Sequence, residues 1–159
     1  MLTQAELKQA LHYDPETGVF TRLTNGGGVR ANTRAGGKDA HGHRTISVKG
    51  KRYRAARLAF FWMTGEWPPH DVDHINRDRM DDRWCNLRAA TRTQNCANSG
   101  PRTGKVKGAC WVESKKRWKA QIRLEGKNCH LGYFASEQAA GEAYQKAARQ
   151  AHGEFFCAA

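Results

Sequence analysis

The stretch 96–107, CANSGPRTGKVK, limits what this chain can fold into more than any other segment. Its Ser, Gly, Pro and Lys residues follow neither a period of 2 nor one of 3.6, so no strand or helix with a buried face is expected there. A break at that point divides 159 residues into two parts, each too small for a large core. Hydrophobic residues make up 39% of the chain, which can fill two modest cores but not one big one. The organisation expected is a first domain over 1–98, a linker over 99–106 and a second domain over 107–159.

Charge narrows the partner. The formal net charge is +12. Residues 1–99 hold 16 basic against 10 acidic groups and residues 100–159 hold 11 against 5, so each part carries +6. Both parts are suited to a polyanion, because Lys and Arg placed on phosphates release condensed counterions. An anionic membrane surface would call for a basic amphipathic helix with an aromatic face, and none is apparent. The longest apolar run, Leu58 to Met63, is too short to span a bilayer, and Glu6 and Lys8 interrupt any leader-like stretch. A soluble intracellular protein is expected. Cys85, Cys96, Cys110, Cys129 and Cys157 are odd in number and form no CxxC pair, which argues against a disulfide framework or a zinc ribbon. Most are expected to be buried thiols in a reducing compartment.

Local signals divide the first part. Thr3 and Glu6 make a capping box for a helix running to about Leu11, with Leu2 and Leu7 as a hydrophobic staple. Asp14-Pro15-Glu16-Thr17-Gly18 is a turn leading into a strand over 19–22. Ile46 and Val48 mark another strand, which Lys49-Gly50 turns into 51–54. A helix over 56–64 ends at Gly65.

The chemistry concentrates in 72–98, VDHINRDRMDDRWCNLRAATRTQNCAN. A strand ending at His74, a long loop, a strand over Leu87–Ala90 and a helix opened by Thr91 would bring Asp73, His74 and Asn95 to one point. Phosphodiester hydrolysis requires an activated water, an electrophile on the phosphate and a stabilised leaving oxygen. An imidazole such as His74 can accept the water's proton near neutrality. Asp73 and Asn95 offer hard oxygens suited to magnesium or manganese, one ion per site. Asn86 is placed to tie down the loop and orient His74. Asp78, Asp81 and Asp82 are expected as turn residues and ion-pair partners of Arg77, Arg79 and Arg83, not as a second metal site.

This segment, with HYDPETGVF (12–20) and YRAARLAFFWMTGEWP (53–68), resembles the H-N-H endonucleases of phage and intron-borne homing enzymes. The resemblance implies a ββα-metal (His-Me) nuclease domain. It also implies Asp73 and Asn95 as metal ligands, His74 as general base and Asn86 as the motif's central asparagine. Ala56 stands where relatives often have histidine, Arg77 where glycine is usual and Asp82 where asparagine is usual. None of the three is expected to touch the catalytic trio.

In the second part, strands are expected near 108–112, 117–124 and 127–134, with Glu125-Gly126 as a hairpin, then a helix capped by Ser136 and ended at Gly153. Trp118, Ala120, Ile122 and Leu124 would face that helix through its Ala140, Tyr144, Ala147 and Ala151, leaving Lys119, Gln121 and Arg123 on an open cationic face. Gly108, Trp118-x-Ala120-x-Ile122-Arg123, Leu131-Gly132-x-Phe134, Ala139-Ala140 and Ala143-Tyr144 resemble the Apetala2-type DNA-binding domain. The resemblance implies Lys107, Gln121, Arg123, Asn128 and His130 as DNA contacts, with Lys119 added from the alternation. Cys110 and Val112 depart from the arginines common in the plant proteins, so the target sequence is not carried over.

The fold class expected is α+β, a nuclease domain followed by a three-stranded antiparallel sheet on one helix. The function expected is metal-dependent, site-specific cleavage of double-stranded DNA by a homing-type phage enzyme in the cytoplasm of a host bacterium, with no membrane and no obligate protein partner. A non-catalytic DNA-binding regulator with a silent nuclease fold is the alternative. An RNA-directed protein is disfavoured, since few stacking aromatics are exposed.

Overall fold

The computed structural model describes residues 1–26, 28–100, 105–124 and 126–156. They fall into two compact units, Met1–Ala90 and Thr91–Ala159. Glu125 of the expected hairpin, part of the expected linker and Cys157 lie outside the described residues.

The first unit opens with α1 (Gln4–Ala10), whose capping box is fully formed. Thr3 Oγ1 accepts from the Glu6 amide at 3.2 Å and the Glu6 carboxylate accepts from the Thr3 amide at 2.9 Å. A cap of this kind stabilises a helix by about 1 kcal/mol. The helix stops at Ala10 because Leu11 starts a strand that the sequence did not announce, β1 (Leu11–Asp14), paired antiparallel with β2 (Val19–Arg22). Leu11 and Tyr13 of β1 are fully buried.

A three-stranded antiparallel sheet follows, made of β3 (Gly37–Lys38), β4 (Arg44–Val48) and β5 (Lys51–Arg54). Lys49 and Gly50 both have positive φ (48° and 75°), as a tight two-residue hairpin requires. Next, α2 (Ala55–Thr64) buries Ala55, Ala56, Leu58, Ala59 and Phe61, and Gly65 closes it in the left-handed region. These side chains join Leu7, Phe20 and Ile46 in one core, with Trp67 stacked on Phe61 at 4.4 Å between ring centres. Leu2 and Leu7 both enter this core, as the staple requires. The unit ends in a hairpin of β6 (Asp71–His74) and β7 (Leu87–Ala90), with one 3₁₀ turn, Trp84–Asn86, leading into β7.

The second unit starts with α3 (Arg92–Asn98), capped by a Thr91–Gln94 box. Then come β8 (Ala109–Val112), β9 (Arg117–Leu124) and β10 (Lys127–Phe134) in the antiparallel order β10-β9-β8, followed by α4 (Glu137–His152). Ser136 caps α4 and Gly153 follows it, as the sequence suggested. The helix face that packs is Ala140, Gly141, Tyr144 and Ala148, whereas Ala151, assigned to it from the sequence, is exposed. Small residues allow close approach here: a Cβ on Gly141 would stand 2.2 Å from Val106 Cγ1, and one on Gly108 would stand 2.1 Å from the Tyr144 ring.

No described helix is long and apolar enough to cross a membrane. The cysteines differ from expectation. Cys85, Cys96 and Cys110 are exposed and Cys129 is only half-buried, all of them free thiols.

Candidate active site

The β6–β7 hairpin sets Asp73 opposite Arg88 and His74 opposite Leu87. Both side chains are withdrawn from solvent, Asp73 at 4% and His74 at 6% exposure. Asp73 Oδ2 accepts from Arg88 Nε at 2.9 Å and lies 2.8 Å from Arg88 Nη2, so the guanidinium fork closes on one carboxylate oxygen. This is a charge-assisted contact in a poorly solvated place, where such contacts are strong.

His74 has a partner the sequence reading did not anticipate. Its Nε2 lies 3.1 Å from Asp82 Oδ1, and the Asp82 side chain is 1% exposed. An ionised carboxylate only accepts hydrogen bonds, so a hydrogen bond across this contact calls for the hydrogen on Nε2. On its other side, Asp82 Oδ2 is 3.4 Å from Nε of buried Arg44, an ion pair without a hydrogen bond between those atoms. Burial pulls the Arg44 guanidinium down and Arg34 adds to this, while Asp82 opposes both. The His43 ring lies 6.1 Å from that of His74. His43 is held below the usual imidazole range by burial first, then by Arg54 and Arg79.

The expectation that Asp82 is a turn residue paired with Arg77, Arg79 or Arg83, out of touch with Asp73, His74 and Asn95, is therefore corrected. The chain around it is drawn inward at three points. Tyr13 Oη donates to the Asp82 carbonyl at 2.7 Å, the Trp84 amide donates to the Pro15 carbonyl at 3.0 Å, and Gly18 abuts the Asp82–Arg83 backbone. Burial, and then Asp82 itself, push the Tyr13 phenol up. Asp81 takes the surface role instead, with Oδ2 2.7 Å from Arg83 Nη2. Asp78 is a turn residue, accepting from the Met80 amide at 2.9 Å. Arg79 donates to the His41 carbonyl at 2.6 Å, not to an aspartate. Arg77 adopts φ 67°, a left-handed conformation that accounts for glycine being the more usual residue there.

Asn86 ties the loop from both ends of its amide. Oδ1 accepts from the Asn76 amide at 2.9 Å, and Nδ2 donates to Asn76 Oδ1 at 3.0 Å and to the Asp81 carbonyl at 2.8 Å. These bonds hold the segment that carries Asp82; it is Asp82 that contacts the His74 ring.

Asp73 supplies a hard oxygen of the kind magnesium and manganese prefer. Among the described residues no three His, Cys, Asp or Glu side chains gather to hold a metal. An ion bound at Asp73 would fill most of its shell with water and phosphate, as magnesium commonly does. Asn95 belongs to the second unit, in α3, where its amide donates to the Thr91 carbonyl at 2.9 Å.

In the same unit, β9 and β10 pair Gln121 with His130, Arg123 with Asn128 and Lys119 with Tyr133. These six side chains therefore share one sheet face, opposite Ala120 and Ile122, which are buried. Tyr133 is the member that sequence reading missed. It is 38% exposed, its ring is 4.7 Å from that of His130, and Lys115 Nζ stands 5.0 Å from it. The period-2 pattern would have found it but for the irregularity between His130 and Gly132, which shifts the register. Arg123 Nε donates to the Gly126 carbonyl at 3.3 Å. Lys107 is otherwise engaged: its ammonium donates to the carbonyls of Ala97 at 2.8 Å, Cys96 and Ser99, and so caps the C-terminus of α3. Trp111 packs edge-on to Trp118 at 5.5 Å and donates to Glu113 at 2.7 Å, a packing role at the sheet edge.

The site thus combines a strand-borne Asp-His pair, a loop tied by an asparagine and a return strand. Residues 53–97 match the HNH endonuclease family, a span containing Asp73, His74, Asn86 and Asn95. No curated protein and no solved structure matches the chain. HNH nucleases act on DNA and generally use a divalent metal ion.

Proposed function

We propose that this protein is a homing-type, site-specific endonuclease that hydrolyses phosphodiester bonds of duplex DNA, with the C-terminal sheet module selecting the site. The observation that carries the reading is His74, buried beside Asp73 and held through Nε2 by Asp82. With the hydrogen on Nε2, Nδ1 accepts the proton of the attacking water. Asp73 is the carboxylate ligand for one magnesium or manganese ion, with Asn95 as the second ligand that the resemblance implies. When bound, that ion would polarise the scissile phosphate and stabilise the departing oxygen. Asn86 acts on the loop, not on the substrate. An Apetala2-like use of the second unit places Lys119, Gln121, Arg123, Asn128 and His130 on the duplex, and Lys107 supports them from its anchor on α3. A phage-borne protein acting in a bacterial cytoplasm agrees with this reading.

Relaxation of supercoiled plasmid, with and without magnesium, tests it. The wild type should cut only with the metal, and His74→Ala should lose cutting while keeping its affinity for DNA. Cutting by His74→Ala at the wild-type rate would overturn the assignment. A wild type that binds DNA but never cuts it would establish the silent regulator instead.

A further inference from the structure

We propose that Asp82 is the positioning residue of His74, and that Arg44 is the buried counter-charge that keeps it in place. The inference rests on His74 being the general base, and it adds a residue that the Asp-His/Asn motif does not contain. Three observations support it. Asp82 Oδ1 is 3.1 Å from His74 Nε2, and both side chains are almost fully buried. A carboxylate there can only accept, which leaves Nδ1 with the lone pair that a base needs. Arg44 approaches the second carboxylate oxygen at 3.4 Å with its side chain 7% exposed.

The rest of the neighbourhood fits this purpose better than it fits a purely structural one. A buried ion pair is weak support for stability, since desolvation cancels much of its attraction. A pair of apolar residues of similar volume would fill the space at lower cost. Backbone contacts from another part of the chain also fix Asp82: Tyr13 holds its carbonyl at 2.7 Å and Gly18 abuts its backbone. The Asp82 backbone cannot shift away from the ring without disrupting the β1–β2 turn. An imidazole is thus held in one tautomer and orientation by a carboxylate that itself has little freedom.

The test combines a spectroscopic and a kinetic readout on the full chain. In metal-free protein with ¹⁵N-labelled histidine, the His74 ring should show the hydrogen on Nε2, with an Hε2 resonance protected from exchange. Asp82→Ala should abolish that protection and lower kcat by roughly 10–100-fold with DNA affinity unchanged, the usual range for losing a partner of a catalytic or metal-bound histidine. Asp82→Asn keeps an oxygen acceptor and should return kcat to within about tenfold of wild type. Because either change leaves Arg44 without its buried partner, Arg44→Met/Asp82→Ala serves as the variant that avoids a stranded charge. A hydrogen on Nδ1 in the wild type would overturn the proposal, as would a folded Asp82→Ala or Arg44→Met/Asp82→Ala enzyme that cuts at the full rate. If the wild type shows the Nε2 hydrogen but cuts no DNA, it is the nuclease reading that fails, and the ring geometry stands.

Discussion

Gly18 lies against the backbone of Arg83: a Cβ on Gly18 would stand 2.4 Å from the Arg83 amide nitrogen and 2.5 Å from the Asp82 carbonyl carbon. Gly18 also has φ +70°, a conformation that costs any other residue strain. Gly18→Ala should therefore destabilise the first unit by roughly 2–4 kcal/mol, combining left-handed strain with a backbone clash. It should also lower cleavage more than the lost stability explains, because the displaced backbone carries Asp82. Chemical denaturation together with cleavage assays on the folded fraction checks both. Full activity in the folded fraction would mean that the turn does not set the site.

Arg88 and Asp73 form a pair whose breakage separates structure from metal binding. Their side chains are 14% and 5% exposed, so Arg88→Ala removes a charged partner from a nearly buried carboxylate. Metal-free stability should fall by about 3 kcal/mol. With the competing cation removed, Asp73 should attract a divalent ion more strongly, so manganese should raise Tm more in the variant than in the wild type. Thermal melts with and without manganese measure it. No manganese response in either protein would argue against Asp73 as a ligand.

Asp81 links stability to acid. Hydrogen bonding from Arg83, before all other causes, holds its carboxyl at about 2, below the ordinary 3.8. A carboxyl depressed in the folded state adds stability that is complete above about pH 4 and is lost as pH falls toward 2. Arg83 is 48% exposed, so solvent screening limits the contribution to about 1 kcal/mol. Asp81→Asn should cost that amount at pH 7 and flatten the stability curve between about pH 4 and pH 2, as read by denaturation at several pH values.

Lys119 and Arg123 emerge four residues apart on the open face of β9, with Gln121 between them and opposite the packed side. Lys119 is a flexible point charge suited to phosphate, whereas a guanidinium can pair with guanine, worth roughly 1–3 kcal/mol of discrimination. Lys119→Ala should weaken binding equally on all sequences and reduce the log–log salt slope by about one. Arg123→Ala should cost most on the preferred site, and Gln121→Ala less. Affinities for target and random duplex across a salt series decide it. An equal loss on both DNAs for Arg123→Ala would make the face a phosphate clamp.

Much of this protein is written in local pattern. The Thr3–Glu6 and Ser136 caps, the turn at Lys49-Gly50, the Gly65 stop and the alternation from Trp118 to Leu124 each depend on a few neighbouring residues, and each appears where those residues place it. The strand positions of Asp73 and His74 are legible for the same reason. What sequence could not supply is how distant segments meet. β1 is too short to show a period, and it forms because β2 pairs with it. Arg44 and Asp82 read as one more surface cation and one more loop aspartate. Only the packing of β4, the β1–β2 turn and the loop after β6 excludes water around them and turns an ordinary charge pair into the partner of His74. Tyr133 joins the open sheet face through a register shift that no alternation rule contains, and Lys107 leaves it because the α3 carbonyls are within reach. Local preferences thus determined the elements and the candidate base, while tertiary contact decided which charges are buried and which atoms they hold.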